Sequence, residues 1–187
     1  MKHIEDTPWW ICDPEETNYC TYSDTDSIYM HAEPLLRFRH NNFDKMNAEE
    51  KDNALESIAM EYEGVVTKSY DKLAKDVFRA DEHRLEMKTE CVIRSAYFRA
   101  TRRYAQWITK QEGIVNETLD VKGLEFKKAN FPPVLGKFFK KALVDVLKGA
   151  TQQEIDDRLK IFKKQILDGS IPLTELGNPQ AVKKLNK

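Results

Sequence analysis

The chain has 187 residues and a formal net charge of −1, with 41% hydrophobic, 10% aromatic and 33% charged side chains, 7 Gly and 7 Pro. These proportions belong to a folded chain able to bury one core, or one core with an appendage, and exclude a disordered chain. No stretch approaches the roughly 18 uninterrupted apolar residues of a membrane span, and no basic region followed by an apolar run opens the chain, so a cytoplasmic protein with no membrane partner is expected.

Residues 1–18 include Pro8, Trp9, Trp10, Asp13 and Pro14 without a sustained period and read as an irregular start. The three cysteines, Cys12, Cys20 and Cys91, are odd in number and unrelated in spacing, which indicates neither a disulfide framework nor a zinc knuckle. His3 and Cys12 read as two unconnected residues rather than metal ligands. Order is expected from Tyr19. Tyr19–Tyr22 and Ser27–Met30 are short β-prone runs, and Ser23-Asp24-Thr25-Asp26 between them suits a tight turn, so a β-hairpin with acidic residues at its tip is predicted.

A helix follows, entered near Asn47 with Glu50 completing a capping box, and carrying Leu55, Ile58, Tyr62, Val65, Val66, Leu73 and Val77 at helical spacing. Gly64 is expected to bend or divide it. From Leu85 to Ile108 β-prone residues take over, and Val92, Ile93, Tyr97, Phe98, Tyr104 and Trp107 read as strands of a second β element. Two helices then close the chain. Pro132 and Pro133 open the first, Leu135, Phe138, Phe139, Ala142, Leu143, Val146 and Leu147 line it, and Gly149 ends it. Thr151 and Glu154 form the capping box of the second, with Ile155, Leu159, Phe162 and Ile166 inward and Gly169 at its end. These apolar stripes read as core.

The near-zero net charge hides an asymmetry. Residues 1–93 carry 11 basic and 21 acidic side chains, a balance of −10, whereas residues 94–141 carry 11 basic and 4 acidic, a balance of +7. The middle of the chain is where a polyanion would bind.

Tyr22-Ser23-Asp24-Thr25-Asp26-Ser27-Ile28-Tyr29 is the most informative stretch. Two carboxylates at a hairpin tip, with strands pinning the backbone on both sides, form an oxygen-rich site for a hard cation, Mg2+ being the obvious candidate. Such an ion keeps several waters and shares its coordination with substrate phosphates, so a few protein carboxylates suffice. By itself Asp-Thr-Asp is also what an ordinary turn contains; the residues around it are more specific.

Those eight residues resemble motif C of family B DNA polymerases, usually Tyr-Gly-Asp-Thr-Asp-Ser followed by an apolar residue and Tyr, with Ser23 in place of the customary Gly. Arg102-Arg103-Tyr104-Ala105 is similar to the family's Lys-Lys-Arg-Tyr-Ala motif, which packs against the primer-template duplex, with Thr101 where the first Lys would stand. Asp120-Val121-Lys122-Gly123-Leu124-Glu125 resembles the Lys-Gly-Leu-Glu segment that passes into the thumb. The motifs follow the family's order, the likeness covers about residues 19–176, and Lys127-Lys128 after Leu-Glu looks most like polymerases of T-even-like bacteriophages.

The resemblance implies an α+β fold: the C-terminal part of a polymerase palm over residues 1–125, built of the motif C hairpin, the long helix and the second β element, then a helical thumb base over residues 126–187. It implies DNA-directed DNA polymerisation, an in-line attack of a primer 3′ hydroxyl on the α-phosphate of a dNTP. Two Mg2+ ions about 3.5 to 4 Å apart would serve it, one activating the hydroxyl and one steadying the leaving pyrophosphate. Asp26 would ligate both ions and Asp24 would be a less critical neighbour. Arg102, Arg103 and Tyr104, extended by Lys122, Lys127 and Lys128, would hold primer-template DNA through phosphates and minor-groove acceptors that base pairs present in similar positions.

The family's other metal-binding aspartate, in motif A, and the fingers helix that holds the nucleotide precede motif C. Only 23 residues precede Asp24, so an upstream polymerase fragment carrying exonuclease, motif A and fingers is the expected partner, and the chain alone is expected to be inactive. The setting implied is the cytoplasm of a phage-infected bacterium. Two other functions fit parts of the sequence. A glycosyltransferase with a metal-binding Asp-x-Asp would need a nucleotide-binding half of roughly 100 residues ahead of it. A catalytically empty duplex-DNA-binding module would keep the basic stretch but has no need for Asp24 and Asp26.

Overall fold

The computed structural model describes residues 19–24 and 26–179. The start of the chain, with His3 and Cys12, lies outside the described residues, as does Thr25. The class is α+β: two small antiparallel sheets and five helices among the described residues. They divide into two compact units, one formed by the described residues up to Val92 with Thr109–Asn116, the other by Ile93–Ile108 with those from Glu117 onward.

The first unit opens on the expected hairpin, β1 (Cys20–Asp24) and β2 (Ser27–Met30). Its antiparallel register sets Tyr22 opposite Tyr29, Ser23 opposite Ile28 and Asp24 opposite Ser27, with an irregularity between Cys20 and Tyr22. The Tyr22 and Tyr29 rings lie 5.5 Å apart, a cross-strand aromatic pair that helps fix the register next to the acidic tip. The sequence reading did not anticipate α1 (Glu33–Arg39), which has Pro34 in its first turn and a Glu33–Arg37 ion pair one turn apart at 2.8 Å. Its Leu35 and Leu36 are almost completely buried and join Ala32, Phe43 and Ile58 in this unit's core.

Helix α2 (Ala48–Asp76) begins where predicted. Asn47 accepts a hydrogen bond from the Glu50 backbone N–H at 2.9 Å, and the Glu50 carboxylate accepts one from the Asn47 N–H at 2.7 Å. The helix runs unbroken through Gly64, so the expected division does not occur. An exposed glycine costs a helix only about 1 kcal/mol against alanine, too little to break a helix whose Ile58 sits in the core.

The second β element is a meander of β3 (Cys91–Ala100), β4 (Arg103–Gln111) and β5 (Ile114–Lys122) in that order. It starts later than Leu85 and has a strand, β5, that was not anticipated. The β4–β5 connection is Glu112-Gly113 with φ of 50° and 78°, the paired positive φ of a tight hairpin turn. As the central strand, β4 is buried from Tyr104 through Lys110. In the first unit, the buried Lys110 ammonium donates to Asn53 Oδ1 at 2.5 Å and Glu56 Oε2 at 2.6 Å on α2, so its charge is matched. In the second unit, Ala105 and Trp107 pack with Val121, Leu124 and Leu147.

The closing helices of the second unit are α3 (Pro133–Leu147) and α4 (Gln152–Leu167), each ending near a glycine of positive φ, Gly149 at 92° and Gly169 at 74°. Thr151 and Glu154 form the predicted capping box, and the Phe138 and Phe162 rings stack at 4.3 Å. Leu159, expected to face inward, is 37% exposed, against 7% for Phe162, so the buried stripe of α4 is narrower than the sequence suggested. A four-residue helix not anticipated, α5 (Leu173–Leu176), carries Glu175, which pairs with Lys137 at 3.0 Å. No helix among the described residues is long and apolar enough to cross a membrane.

Candidate functional site

Asp24 is the last residue of β1 and is half-buried, and Asp26 is exposed in the turn. Residues two apart on a strand share a face, and the Tyr22 hydroxyl accordingly donates to Asp24 Oδ2 at 3.4 Å. The Ser27 hydroxyl donates to the Asp24 carbonyl oxygen at 3.2 Å, bracing the tip from its other side. Together these two bonds constrain the position of Asp24 at the end of its strand. The donor set is oxygen only, which suits Mg2+, and two carboxylates leave most of its coordination to water, phosphate or further carboxylates. Among the described residues, no group of three or more His, Cys, Asp or Glu is placed to hold a metal ion.

The basic candidates belong to the second unit. Of the two arginines expected on a strand beside Tyr104, Arg103 is there, as the first residue of β4, whereas Arg102 occupies the two-residue turn between β3 and β4 at φ 59°. Tyr104 is only 9% exposed, with its ring 5.5 Å from that of Phe98, so most of the ring packs within the protein. The meander brings the start of β4 and the end of β5 to one end of the sheet, which places Arg102 and Arg103 with Lys122, the last residue of β5. The following 3-10 turn, Glu125–Lys127, and Lys128 continue from there. The Lys127 ammonium folds back to the Val121 carbonyl at 3.0 Å.

Glu125 is the residue sequence reasoning left without a role. Its Oε1 lies 3.4 Å from an Arg103 guanidinium nitrogen and 3.9 Å from the Lys128 ammonium, so one carboxylate sits among the cations. All three side chains are about half exposed or more. The pairing depends on the course of the chain after β5, which local pattern does not encode. No family model matches the chain, and no curated protein matches it significantly. Any functional reading therefore stands on the motifs and the geometry around them.

Proposed function

We propose that the chain is part of a template-dependent DNA polymerase of family B, supplying the motif C carboxylates and a grip on the primer-template duplex, and acting with a polypeptide that carries exonuclease, motif A and fingers. The observation that supports this most is the Tyr22–Tyr29 stretch folded as a hairpin, with Asp24 closing the strand, Asp26 exposed beyond it, and Tyr22 and Ser27 holding the first of them. Mg2+ bound there would supply positive charge to phosphate oxygens and acidify the attacking hydroxyl. Asp26 is exposed at the tip, and Asp24, at the end of its strand, adds a second, constrained oxygen donor. Arg102, Arg103, Lys122, Lys127 and Lys128 neutralise duplex phosphates, an attraction indifferent to base sequence.

The grip is tested by salt dependence. Arg102→Ala with Arg103→Ala should weaken binding to duplexes of unrelated sequence equally and flatten the slope of log K against log salt by roughly one to two units. Sequence-dependent losses or an unchanged slope would contradict it. Glu125 competes with phosphate for Arg103 and Lys128, so Glu125→Gln should raise duplex affinity at low salt by about two- to threefold, the scale of an exposed ion pair. Fluorescence anisotropy with a labelled duplex reads both, and weaker binding by Glu125→Gln would show that the carboxylate supports the grip instead of opposing it.

A further inference from the structure

Gly123 follows β5 at φ 62°, directly against the turn that carries Arg102. A Cβ at this position would lie 2.2 Å from the Arg102 carbonyl oxygen, 3.2 Å from its carbonyl carbon and 3.2 Å from Arg103 Cγ. The first distance is impossible for real atoms, and the obstacle is backbone, which cannot swing aside as a side-chain end can. Arg102 is itself at φ 59°, a left-handed conformation uncommon for a residue with a side chain. Two left-handed residues on neighbouring segments thus meet with no room for a methyl group between them.

We infer that Gly123 is a positioning residue for the duplex grip: its missing side chain lets the Arg102-Arg103 turn seat against the end of β5, which fixes both guanidinium groups relative to Lys122 and the Glu125–Lys128 segment. This rests on the proposed duplex grip and adds the residue that sets its geometry. Any L side chain at 123 forces the turn to withdraw by on the order of 1 Å to restore ordinary contact, moving both arginines off the phosphate spacing they share with the lysines. Both Gly123 and the turn are exposed, so the displacement is taken up at the surface and the core beneath stays packed.

Gly123→Asn isolates the collision, because Asn tolerates positive φ better than most side chains while still placing a Cβ against Arg102. Gly149→Asn is the control: Gly149 also has positive φ, 92°, but a Cβ there meets nothing within 4 Å. Duplex affinity and its salt slope are measured on the 187-residue chain for wild type, both Asn variants, Arg102→Ala with Arg103→Ala, and the triple combination. Gly123→Asn should lower affinity about five- to tenfold and flatten the slope by about one unit, with a thermal midpoint close to that of Gly149→Asn, which itself should bind like wild type.

In the background lacking both arginines, Gly123→Asn should change neither affinity nor slope, because it acts through them; a general structural defect would lower both in either background. Wild-type slope in Gly123→Asn, an equal loss without the arginines, or collapse of its fold would each overturn the positioning role while leaving the grip standing. No duplex binding by wild type, or no slope change on removing the arginines, would overturn the grip and this role together.

Discussion

Asp26→Asn should lower the rate of primer extension by three decades or more in the assembled polymerase, while duplex affinity stays nearly unchanged. The exposed Asp26 carboxylate at the hairpin tip is the ligand assigned to both metal ions, and an amide there keeps the size of the side chain but loses its charge. Losing a ligand that stabilises charge in the transition state costs several kcal/mol, and about 1.4 kcal/mol is a factor of ten in rate. The proposed grip on the duplex lies elsewhere, at Arg102, Arg103 and the lysines near them, so binding should be spared. Asp24→Asn should cost less. An asparagine at 24 can still accept from the Tyr22 hydroxyl, the Ser27 hydroxyl still finds the backbone carbonyl, and the tip keeps its shape. Single-turnover extension with saturating dNTP separates the two, and equal small losses at both positions would remove the metal assignment.

The elements that sequence made legible are those whose ends carry their own chemistry. Asn47 with Glu50 and Thr151 with Glu154 satisfy the first N–H groups of their helices, and Gly149 and Gly169 accept positive φ after the last turns, so α2, α3 and α4 could be placed from local pattern alone. Helix α1 was missed because seven residues are too few for a period, even though Leu35 and Leu36 anchor a core. Strand β5 was missed because Asn116, Glu117, Asp120 and Lys122 obscure its apolar alternation; the Glu112-Gly113 turn followed by Ile114 and Val115 was the available signal.

At the candidate site the difference is one of range. The hairpin and its two aspartates are consecutive residues, and their geometry was readable. The meeting of Glu125 with Arg103, and of Gly123 with Arg102, joins residues about twenty apart and depends on how β4 and β5 pair. Gly123 lies within the Asp120–Glu125 motif, but nothing in the one-dimensional pattern says which backbone it must admit.

The largest expected effect is the difference between this chain alone and the chain in company. The β1–β2 hairpin offers Asp24 and Asp26, whereas the proposed reaction needs a further carboxylate position to bridge the ions and a lysine-bearing helix to hold the dNTP. A folded partner supplying motif A and the fingers would provide the missing chemistry. The decisive measurement is primer extension on a defined primer-template with Mg2+ and all four dNTPs, using the highly purified chain first alone and then co-expressed with a polypeptide from the same source that carries exonuclease, motif A and fingers. No extension above background by the chain alone, with extension appearing in the complex and abolished there by Asp26→Asn, is the predicted result; robust extension by the chain alone, or a complex indifferent to Asp26→Asn, would contradict it.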